Sequence, residues 1–104
     1  MVKKLSKMQR AARGQPCMIR VPNGIHLPDP ENATSVLCHA PFPDRGGMRD
    51  NDLYAAIGCN RCHDFMDGRL GRNPPDSMYA ATLWLAGIRD THTLFVKLGL
   101  IVLT

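Results

Sequence analysis

The sequence predicts a small α+β domain that a bound metal ion stabilises. Three observations support this class. The chain has 104 residues, enough for one domain of modest size. Short β-branched segments come first and helical segments follow them. The four cysteines include a Cys-x-x-Cys pair, whereas there are only three Phe, two Tyr and one Trp, so the core is small and a metal ion is expected to add stability.

The elements expected in the first half of the chain are an arm and two strands. Residues 1–14 form a basic, polar N-terminal arm with a short helix near residues 8–12, and residues 15–104 form the single domain. Residues 17–21 alternate and include β-branched side chains, which predicts a short strand before a Pro-Asn-Gly turn. Residues 34–39 are the second strand candidate, and the prolines that follow end it.

The second half is predicted to be mainly helical. Residues 52–58 are mostly apolar, which is typical of a short strand or an irregular approach to the Cys-x-x-Cys pair. Short helices are expected over residues 62–69 and 78–88, and a last helix is capped at residues 90–91 and stopped by Gly99. The side chains expected to be buried on the last two helices are Tyr79, Leu83, Ala86, Leu94, Phe95 and Leu98.

The N-terminal arm is strongly basic. The formal net charge is +4 and the sequence pI is about 9.1, and residues 1–20 contain six basic side chains and no acidic one. This composition favours a polyanionic partner, namely nucleic acid and in the first instance DNA, although a solvated terminus has the same composition. The candidate phosphate-binding residues are Lys3, Lys4, Lys7, Arg10, Arg13, Arg20, Arg61, Arg69 and Arg72.

The sequence carries no recognisable export or membrane signal. Its basic start is not followed by an apolar segment, and its longest apolar run, residues 100–103, is too short to cross a membrane. We therefore expect a cytoplasmic location and no membrane contact. In that compartment the four cysteines are expected to be metal ligands or free thiols. The apolar tail over residues 98–103 is either an edge of the core or an interface for a homo-oligomer.

A structural zinc site is the strongest chemical prediction. Cys59 and Cys62 have the spacing of half a tetrahedral thiolate site. Cys17 is a good third ligand because a turn follows it, as it does in zinc knuckles. The fourth ligand stays open between His26, which lies beyond that turn, and Cys38.

A second metal site is indicated by His63 and Asp67. These residues lie one helical turn apart on one face if a helix begins at Cys62. A divalent cation held there would stabilise charge on a scissile phosphate. His39 ends the second predicted strand, where a neutral imidazole can act as a general base near neutral pH. The Cys-x-x-Cys-His spelling also matches the attachment motif of a c-type haem, an alternative that leaves the other two cysteines unexplained.

A strand ending in His, a Gly-Gly loop and a Cys-x-x-Cys-His-x-x-x-Asp segment together resemble the HNH, or ββα-metal, nuclease motif. More closely, the chain resembles the YbcO-like family of small prophage nucleases. The resemblance implies a small zinc-stapled ββα-metal domain, HNH-like and treble-clef-like, with additional C-terminal helices. The matching segments are residues 11–17, 18–22, 34–39, 52–53, 59–64 and 67–69.

The resemblance also implies a role for each matching residue. His39 takes the place of the general base, and Asp52 stands where a middle Asn orients that base or fixes its loop. His63 matches a metal-binding His at the helix start, and Asp67 replaces the final His. Cys38 occupies a position at which relatives carry a further metal ligand, so it is a candidate ligand for a soft metal.

Two functional hypotheses follow. The first is a metal-dependent endonuclease that uses a structural Zn²⁺ and a catalytic Mg²⁺ or another divalent cation. The alternative is a non-catalytic, zinc-stapled module that binds nucleic acid or a partner protein in a phage recombination or replication system. Relatives carry a second cysteine shortly after the one that matches Cys17, and since this chain lacks it, His26 is the proposed substitute.

Overall fold

The structure is a computed structural model that describes residues 6–22, 24–40, 52–68 and 77–102, without the side chain of Ser77. Within these ranges the chain is a small α+β domain with a two-stranded sheet and three α-helices. Two short 3-10 turns, at Pro30–Asn32 and Asp52–Tyr54, precede the two strands. The main elements are helix α1 (Lys7–Ala12), strand β1 (Val36–His39), strand β2 (Ala55–Gly58), helix α2 (Asn60–Met66) and helix α3 (Ser77–Lys97).

The two strands form an antiparallel pair whose faces carry different side chains. Cys38 pairs with Ala56, and His39 at the end of β1 pairs with Ala55. Because successive side chains alternate across a strand, Cys38 and His39 point to opposite faces. Every residue of β2 is buried, so both faces of this strand are covered.

Each face of the sheet contributes to its own apolar cluster. The first cluster contains all four cysteines, and α3 adds Trp84 and Ile88 to it. The second cluster lies on the other face, where α1 contributes Ala12 and α3 contributes Phe95. Helix α3 therefore packs against both clusters, with β2 between them. The second cluster consists of Ala12, Leu37, Ala55, Ile57 and Phe95.

The outer edge of β2 is covered by a loop and by α3. The amide of Met18 donates to the carbonyl of Ile57 at 2.7 Å, and the amide of Ile57 donates to the hydroxyl of Thr91 at 2.9 Å. The strand predicted over residues 17–21 is therefore wrong, because this segment makes one ladder-like bond and then turns. The turn includes Arg20 at a left-handed φ of 47°.

Helix α3 is continuous, so the two C-terminal helices that the sequence predicts are one element. The expected cap at residues 90–91 does not form, since Asp90 pairs with Arg20 at 3.2 Å and Thr91 is committed to Ile57. No helix in the described ranges is both long and apolar enough to cross a membrane.

The buried face of α3 differs in part from the predicted stripe. Trp84, Ile88, Thr91 and Phe95 are buried, at the spacing of one helical face. Of the predicted residues, Leu83, Ala86 and Leu94 are half-buried and Phe95 is fully buried. The prediction is wrong for Tyr79 and Leu98, which are 36% and 48% exposed. Both residues lie off the helical face that α3 buries against β2.

The close approach of α3 to β2 requires a small residue at Gly87. A Cβ atom on this residue would lie 3.0 Å from the Cβ of Ala56 and 3.4 Å from the carbonyl oxygen of Met18. Beyond α3 the described tail is a turn, in which Leu100 and Ile101 pack against the second cluster. The sequence left the tail as an edge of the core or as an interface. The described part of the tail supplies an edge of the core and forms no strand.

The remaining elements lie close to their predicted positions. Helix α1 begins after Ser6, whose side chain and that of Gln9 form a capping box. Helix α2 begins two residues earlier than expected because Cys59 occupies the N-cap position. It ends before Gly68, which has a φ of 75° and donates its amide to the carbonyl of Phe65 at 3.1 Å. The described part of the predicted arm is therefore a capped helix packed on β1.

Candidate metal centre and candidate active site

Four side chains converge where the loop after α1 meets the start of α2. The ligand atoms of Cys17, His26, Cys59 and Cys62 all lie within 4.8 Å of one another. Three of these residues are buried and His26 is half-buried. This group of three thiols and one imidazole can hold a metal ion such as zinc.

The measured distances fit tetrahedral zinc. The Nδ1 atom of His26 lies 3.3 Å from the Sγ atom of Cys62 and 3.5 Å from that of Cys59. Tetrahedral zinc, with Zn–S bonds of about 2.3 Å and Zn–N bonds of about 2.0 Å, would separate its nitrogen and sulfur ligands by roughly 3.5 Å. The imidazole nitrogen therefore already lies at the spacing that the ion requires from the sulfurs of Cys59 and Cys62.

Local hydrogen bonds place each ligand. The turn after Cys17 brings the amide of Arg20 to its Sγ atom at 3.4 Å. The amide of His26 donates to the carbonyl of Val21 at 3.1 Å, which returns the chain toward the cysteines. The guanidinium of Arg61 donates to the carbonyl of Ile25 at 2.7 Å, so α2 holds the loop that carries the imidazole.

A hydrogen bond between two thiols of the cluster, Cys17 and Cys62, shifts the pKa of each in opposite directions. A hydrogen bond from Cys62 lowers the pKa of Cys17 to about 4, with further help from the amide of Arg20 and against the effect of burial. The same hydrogen bond raises the pKa of Cys62, and burial raises it further. Without a cation, Cys17 is a thiolate and Cys62 keeps its proton. A bound cation removes this asymmetry because it stabilises several thiolates at once.

Cys38 lies beside the metal-binding group but outside it. Its side chain is buried, and its thiol contacts the carbonyl oxygens of Val36 at 3.6 Å and Gly58 at 3.9 Å. Burial, followed by the nearby charges of Cys17 and Asp67, raises its pKa to about 12. Cys38 is therefore a neutral core thiol, and the imidazole of His26 takes the fourth position in the cluster.

The candidate general base is held by a carboxylate. The Nε2 atom of His39 lies 2.7 Å from Oδ1 of Asp52, although the two residues belong to different elements. The other oxygen of Asp52 accepts a hydrogen bond from the hydroxyl of Ser6 at 2.5 Å. Both side chains of the His–Asp pair are partly accessible, at 24% and 19% exposure. The pair can therefore exchange protons with solvent or substrate.

The second predicted metal site is a pair on α2. The Nε2 atom of His63 lies 3.3 Å from Oδ2 of Asp67 on the helix surface. Helix α2 packs with Cys62 and Met66 in the first cluster, whereas His39 points to the opposite face of the sheet. The structure therefore contains two His–Asp pairs, one at the end of β1 and one on α2. Among the described residues, the group of possible metal ligands that it brings together is that of the four zinc-type ligands.

The predicted phosphate-binding residues that the structure describes fall into two groups. Lys7, Arg10 and Arg13 are exposed on α1 and just after it. Arg20 is tied to Asp90, and Arg61 is tied to a backbone carbonyl. Of these predicted residues, the first group is the one that presents charge without an ion pair in the described ranges. Four of the predicted phosphate-binding residues lie outside these ranges, namely Lys3, Lys4, Arg69 and Arg72.

A cavity opens next to the metal-binding group. Its volume is about 400 Å³, and Cys17 and His26 form part of its wall. Two of the four possible metal ligands therefore border this cavity. The remaining lining residues are Pro16, Met18, Arg20, Asp29 and Asn32.

Sequence reasoning missed two residues that contact the candidate base region. Ser6 binds Asp52, and His92 binds the carbonyl of Leu53 at 2.7 Å through its Nε2 atom. The Ser-x-x-Gln spelling at Ser6 does signal a helix cap. Nothing in the sequence signals either contact, because both join segments that are far apart along the chain.

Comparisons with known proteins give the family. The model of the family described as "Putative nuclease YbcO" matches residues 6–99. The "Putative nuclease YbcO" of Escherichia coli strain K12 is 35% identical over 99 residues, which cover 93% of this chain and 98% of the relative. A protein of Enterobacteria phage 82 with the same description matches equally well.

A solved structure has the same fold. It is described as "Structure of a putative bacteriophage protein from Escherichia coli str. K-12 substr. MG1655" and superposes with a TM-score of 0.65 at 36% identity. The match covers 89% of this chain and all of the solved chain. From the matched length, the identity and the shared fold, this chain belongs to the YbcO family.

Proposed function

We propose that this chain is a metal-dependent endonuclease of the HNH type that hydrolyses phosphodiester bonds, with DNA as the first substrate to test. The observation that carries the proposal is the 2.7 Å contact between His39 and Asp52 at the end of the sheet. Relatives described as nucleases support the reaction class. The cation-binding chemistry of the His63–Asp67 pair and the exposed basic side chains of α1 agree with it.

The His39–Asp52 contact gives the imidazole a defined basic atom. A carboxylate accepts a hydrogen bond from an imidazole N–H, so Asp52 holds the tautomer in which Nε2 carries the hydrogen. The lone pair is then on Nδ1 of His39. That atom can take a proton from a water molecule as the water attacks phosphorus, and Asp52 stabilises the imidazolium that forms.

The surface pair on α2 is the proposed ligand set for the catalytic cation. An imidazole nitrogen and a carboxylate oxygen that lie 3.3 Å apart can occupy neighbouring positions around one ion. When bound, such a cation would polarise the scissile phosphate and stabilise the leaving oxygen. Because one donor is an imidazole, His63 and Asp67 fit Mn²⁺, Ni²⁺ or Zn²⁺ better than Mg²⁺, which prefers oxygen ligands.

The zinc-type cluster has a structural role in this proposal. Cys17 and His26 come from the loop after α1, and Cys59 and Cys62 come from the start of α2. An ion bound to all four would fix the approach of β2 into α2, and with it the position of His63. This role requires no contact with the substrate.

The exposed basic side chains of α1 are the proposed contact to the phosphate backbone. Lys7 and Arg10 lie on α1 and Arg13 directly follows it, and this helix packs against β1, the strand that ends in His39. Contacts to phosphate position a substrate without reading its sequence. We therefore propose binding with little base specificity and a strong dependence on salt.

Cleavage of supercoiled plasmid in the presence of Mg²⁺, Mn²⁺, Ni²⁺ or Zn²⁺ tests the function. Replacement of His39 by Ala should lower the cleavage rate by about 10²–10⁴-fold, the usual contribution of a general base. The zinc content and the circular dichroism spectrum should stay unchanged because His39 lies outside the zinc-type cluster. Full cleavage by His39→Ala would remove His39 from the mechanism.

The placement of the two His–Asp pairs favours one further candidate function. His39 and the α2 pair belong to opposite faces of the hairpin, as expected if the chain binds nucleic acid or a partner protein without cleaving it. Absence of cleavage with all four ions, together with salt-dependent binding to DNA, would support that non-catalytic function. Loss of binding on replacement of Lys7 and Arg10 by Ala would locate the binding surface on α1.

A further inference from the structure

We propose that Ser6 is a positioning residue for the His39–Asp52 pair and that it couples this pair to helix α1. The inference rests on the proposed nuclease function and adds a residue to its site. Ser6 lies at the far N-terminal side of the described chain, 46 positions from Asp52. Its contact with Asp52 therefore joins the first helix to the 3-10 turn that precedes β2.

The hydroxyl of Ser6 is used in both directions. Its hydrogen goes to Oδ2 of Asp52 at 2.5 Å, and its oxygen accepts the backbone amide of Gln9 at 3.1 Å. The backbone amide of Ser6 donates in turn to the side-chain oxygen of Gln9 at 2.9 Å. A serine hydroxyl has one donor and two acceptor sites, so capping the helix and binding Asp52 do not compete.

These contacts engage both oxygens of the carboxylate. Oδ1 of Asp52 binds His39 and Oδ2 binds Ser6. A hydroxyl bonded to a carboxylate at this distance is a charge-assisted hydrogen bond, which is stronger than one between neutral groups. Ser6 therefore restricts rotation of the carboxylate and, through it, the orientation of the imidazole.

The contact of Ser6 with Asp52 links the candidate base to a helix that exposes basic side chains. Helix α1 begins directly after Ser6 and exposes Lys7 and Arg10. Phosphate contacts to these side chains would act on the same helix whose cap holds Asp52. Helix α1 and the candidate base are thus connected through the hydrogen bonds from Ser6 to Asp52 and from Asp52 to His39. Displacement of α1 would release Oδ2 of Asp52.

Three variants separate the cap from the contact to Asp52. Ser6→Asp keeps a good N-cap acceptor for the amide of Gln9 but has no hydrogen to donate, and it places a like charge beside Asp52. Ser6→Thr keeps both the acceptor and the donor. Gln9→Ala removes half of the capping box and leaves the hydroxyl of Ser6 intact. Ser6→Thr therefore serves as the rescue of Ser6→Asp, and Gln9→Ala serves as the control for the helix cap.

The first measurement is steady-state cleavage with the divalent ion that gives the highest rate. Ser6→Asp should lower kcat about tenfold with a smaller change in KM, the range found when a group that orients a reactive residue is removed. Ser6→Thr should restore kcat to within about twofold, and Gln9→Ala should retain it. An equal loss of kcat in Ser6→Asp and Gln9→Ala would overturn the proposal, because the effect would then be one of helix stability.

The second measurement does not depend on activity. In ¹⁵N-labelled protein, the ring-nitrogen shifts of His39, assigned by comparison with His39→Gln, report its tautomer. The protein and Gln9→Ala should show the Nε2–H form, and Ser6→Asp should show a loss of that bias. If nothing cleaves but the tautomer shifts as expected, the nuclease proposal fails and the positioning role of Ser6 stands. An unchanged tautomer in Ser6→Asp would overturn that role even if the enzyme is active.

Discussion

The Nδ1 atom of His26 lies 3.3 Å from the Sγ atom of Cys62, although 36 positions separate the two residues along the chain. The contact joins the loop after α1 to the first turn of α2. The small apolar clusters hold these two segments together only in part. An ion at this point would crosslink them. The stability of the fold should therefore depend on the metal ion.

The four ligands and Cys38 make a matched set for testing this dependence. Cys59→Ala should lose the bound zinc and lower the melting temperature by about 10 °C or more, since structural zinc contributes several kcal/mol. Cys38→Ala also removes a buried thiol but should retain one zinc per chain. Metal analysis by mass spectrometry and thermal unfolding check both variants. Zinc loss in Cys38→Ala but not in Cys59→Ala would contradict the assignment of ligands.

Zinc binding should release protons at pH 7. Hydrogen bonding to Cys17 raises the pKa of Cys62, so this thiol keeps its proton in the metal-free protein and must lose it to bind. Cys17, with a pKa of about 4, is already a thiolate and releases none. Zinc affinity should therefore fall as the pH falls, and release should be strongly favoured near pH 4, where Cys17 itself takes up a proton.

Calorimetry in buffers of different ionisation enthalpy measures this proton release. The apparent binding enthalpy should change linearly with the buffer enthalpy, and the slope gives the number of protons. Cys62→Ser should lower both the zinc affinity and the slope. A zero slope in the unmodified protein would show that Cys62 is already deprotonated without metal.

The close packing at Gly58 gives a test of the core. A Cβ atom there would lie 2.7 Å from Cδ1 of Ile19 and 3.2 Å from Sγ of Cys38. Gly58→Ala should therefore cost about 1–3 kcal/mol, the usual effect of overpacking. Ile19→Val removes the Cδ1 atom that the new methyl group meets, at a cost of about 0.5–1.5 kcal/mol.

Urea unfolding of the two single variants and the double variant completes a cycle. Because the methyl group fits into the space left by Cδ1, the double variant should lose about 1 kcal/mol less than the sum of the single losses. Strict additivity would place the strain at Gly58 elsewhere than at Ile19.

The turn after Cys17 holds Arg20 in a strained backbone conformation. Its φ of 47° favours glycine, since other residues pay about 1–2 kcal/mol in the left-handed region. Arg20→Gly should be more stable than Arg20→Ala by about 1 kcal/mol. Both variants lose the exposed ion pair with Asp90, so their difference isolates the backbone effect. Equal melting temperatures for the two variants would contradict the strain at this position.

The sequence is sufficient to predict three of the zinc-type ligands because their local patterns are chemically restrictive. The Cys-x-x-Cys pair followed from ligand spacing and Cys17 from the turn after it, and His26 was one of two options for the fourth position. The choice between His26 and Cys38 depends on how the loop after Cys17 closes, which brings Nδ1 of His26 to 3.3 Å from Sγ of Cys62. That closure is not visible in the sequence.

The helices show a second limit of sequence reasoning. Asp90 and Thr91 have the chemistry of helix caps, but each meets a partner from a distant part of the chain. With those partners in place the backbone stays helical through both residues. Similarly, residues 17–21 have the composition of a strand, but the amide of Arg20 is needed at the sulfur of Cys17, so the chain turns. At Asp90 and Thr91 a long-range contact overrides local propensity, and in residues 17–21 a local contact to the sulfur of Cys17 does so.

The bonds at Ile57 bear on how this chain behaves in crowded solution. An open strand edge can recruit a strand from another copy and start aggregation. At Ile57 that edge is blocked, because its carbonyl receives the amide of Met18 and its amide is taken by Thr91. A foreign strand would have to displace a loop and a long helix before it could pair there. Heating or loss of the metal would loosen the segment around Met18 and expose the edge of β2 at Ile57. Other copies of the chain could then pair with this edge, so the protein should precipitate rather than simply unfold.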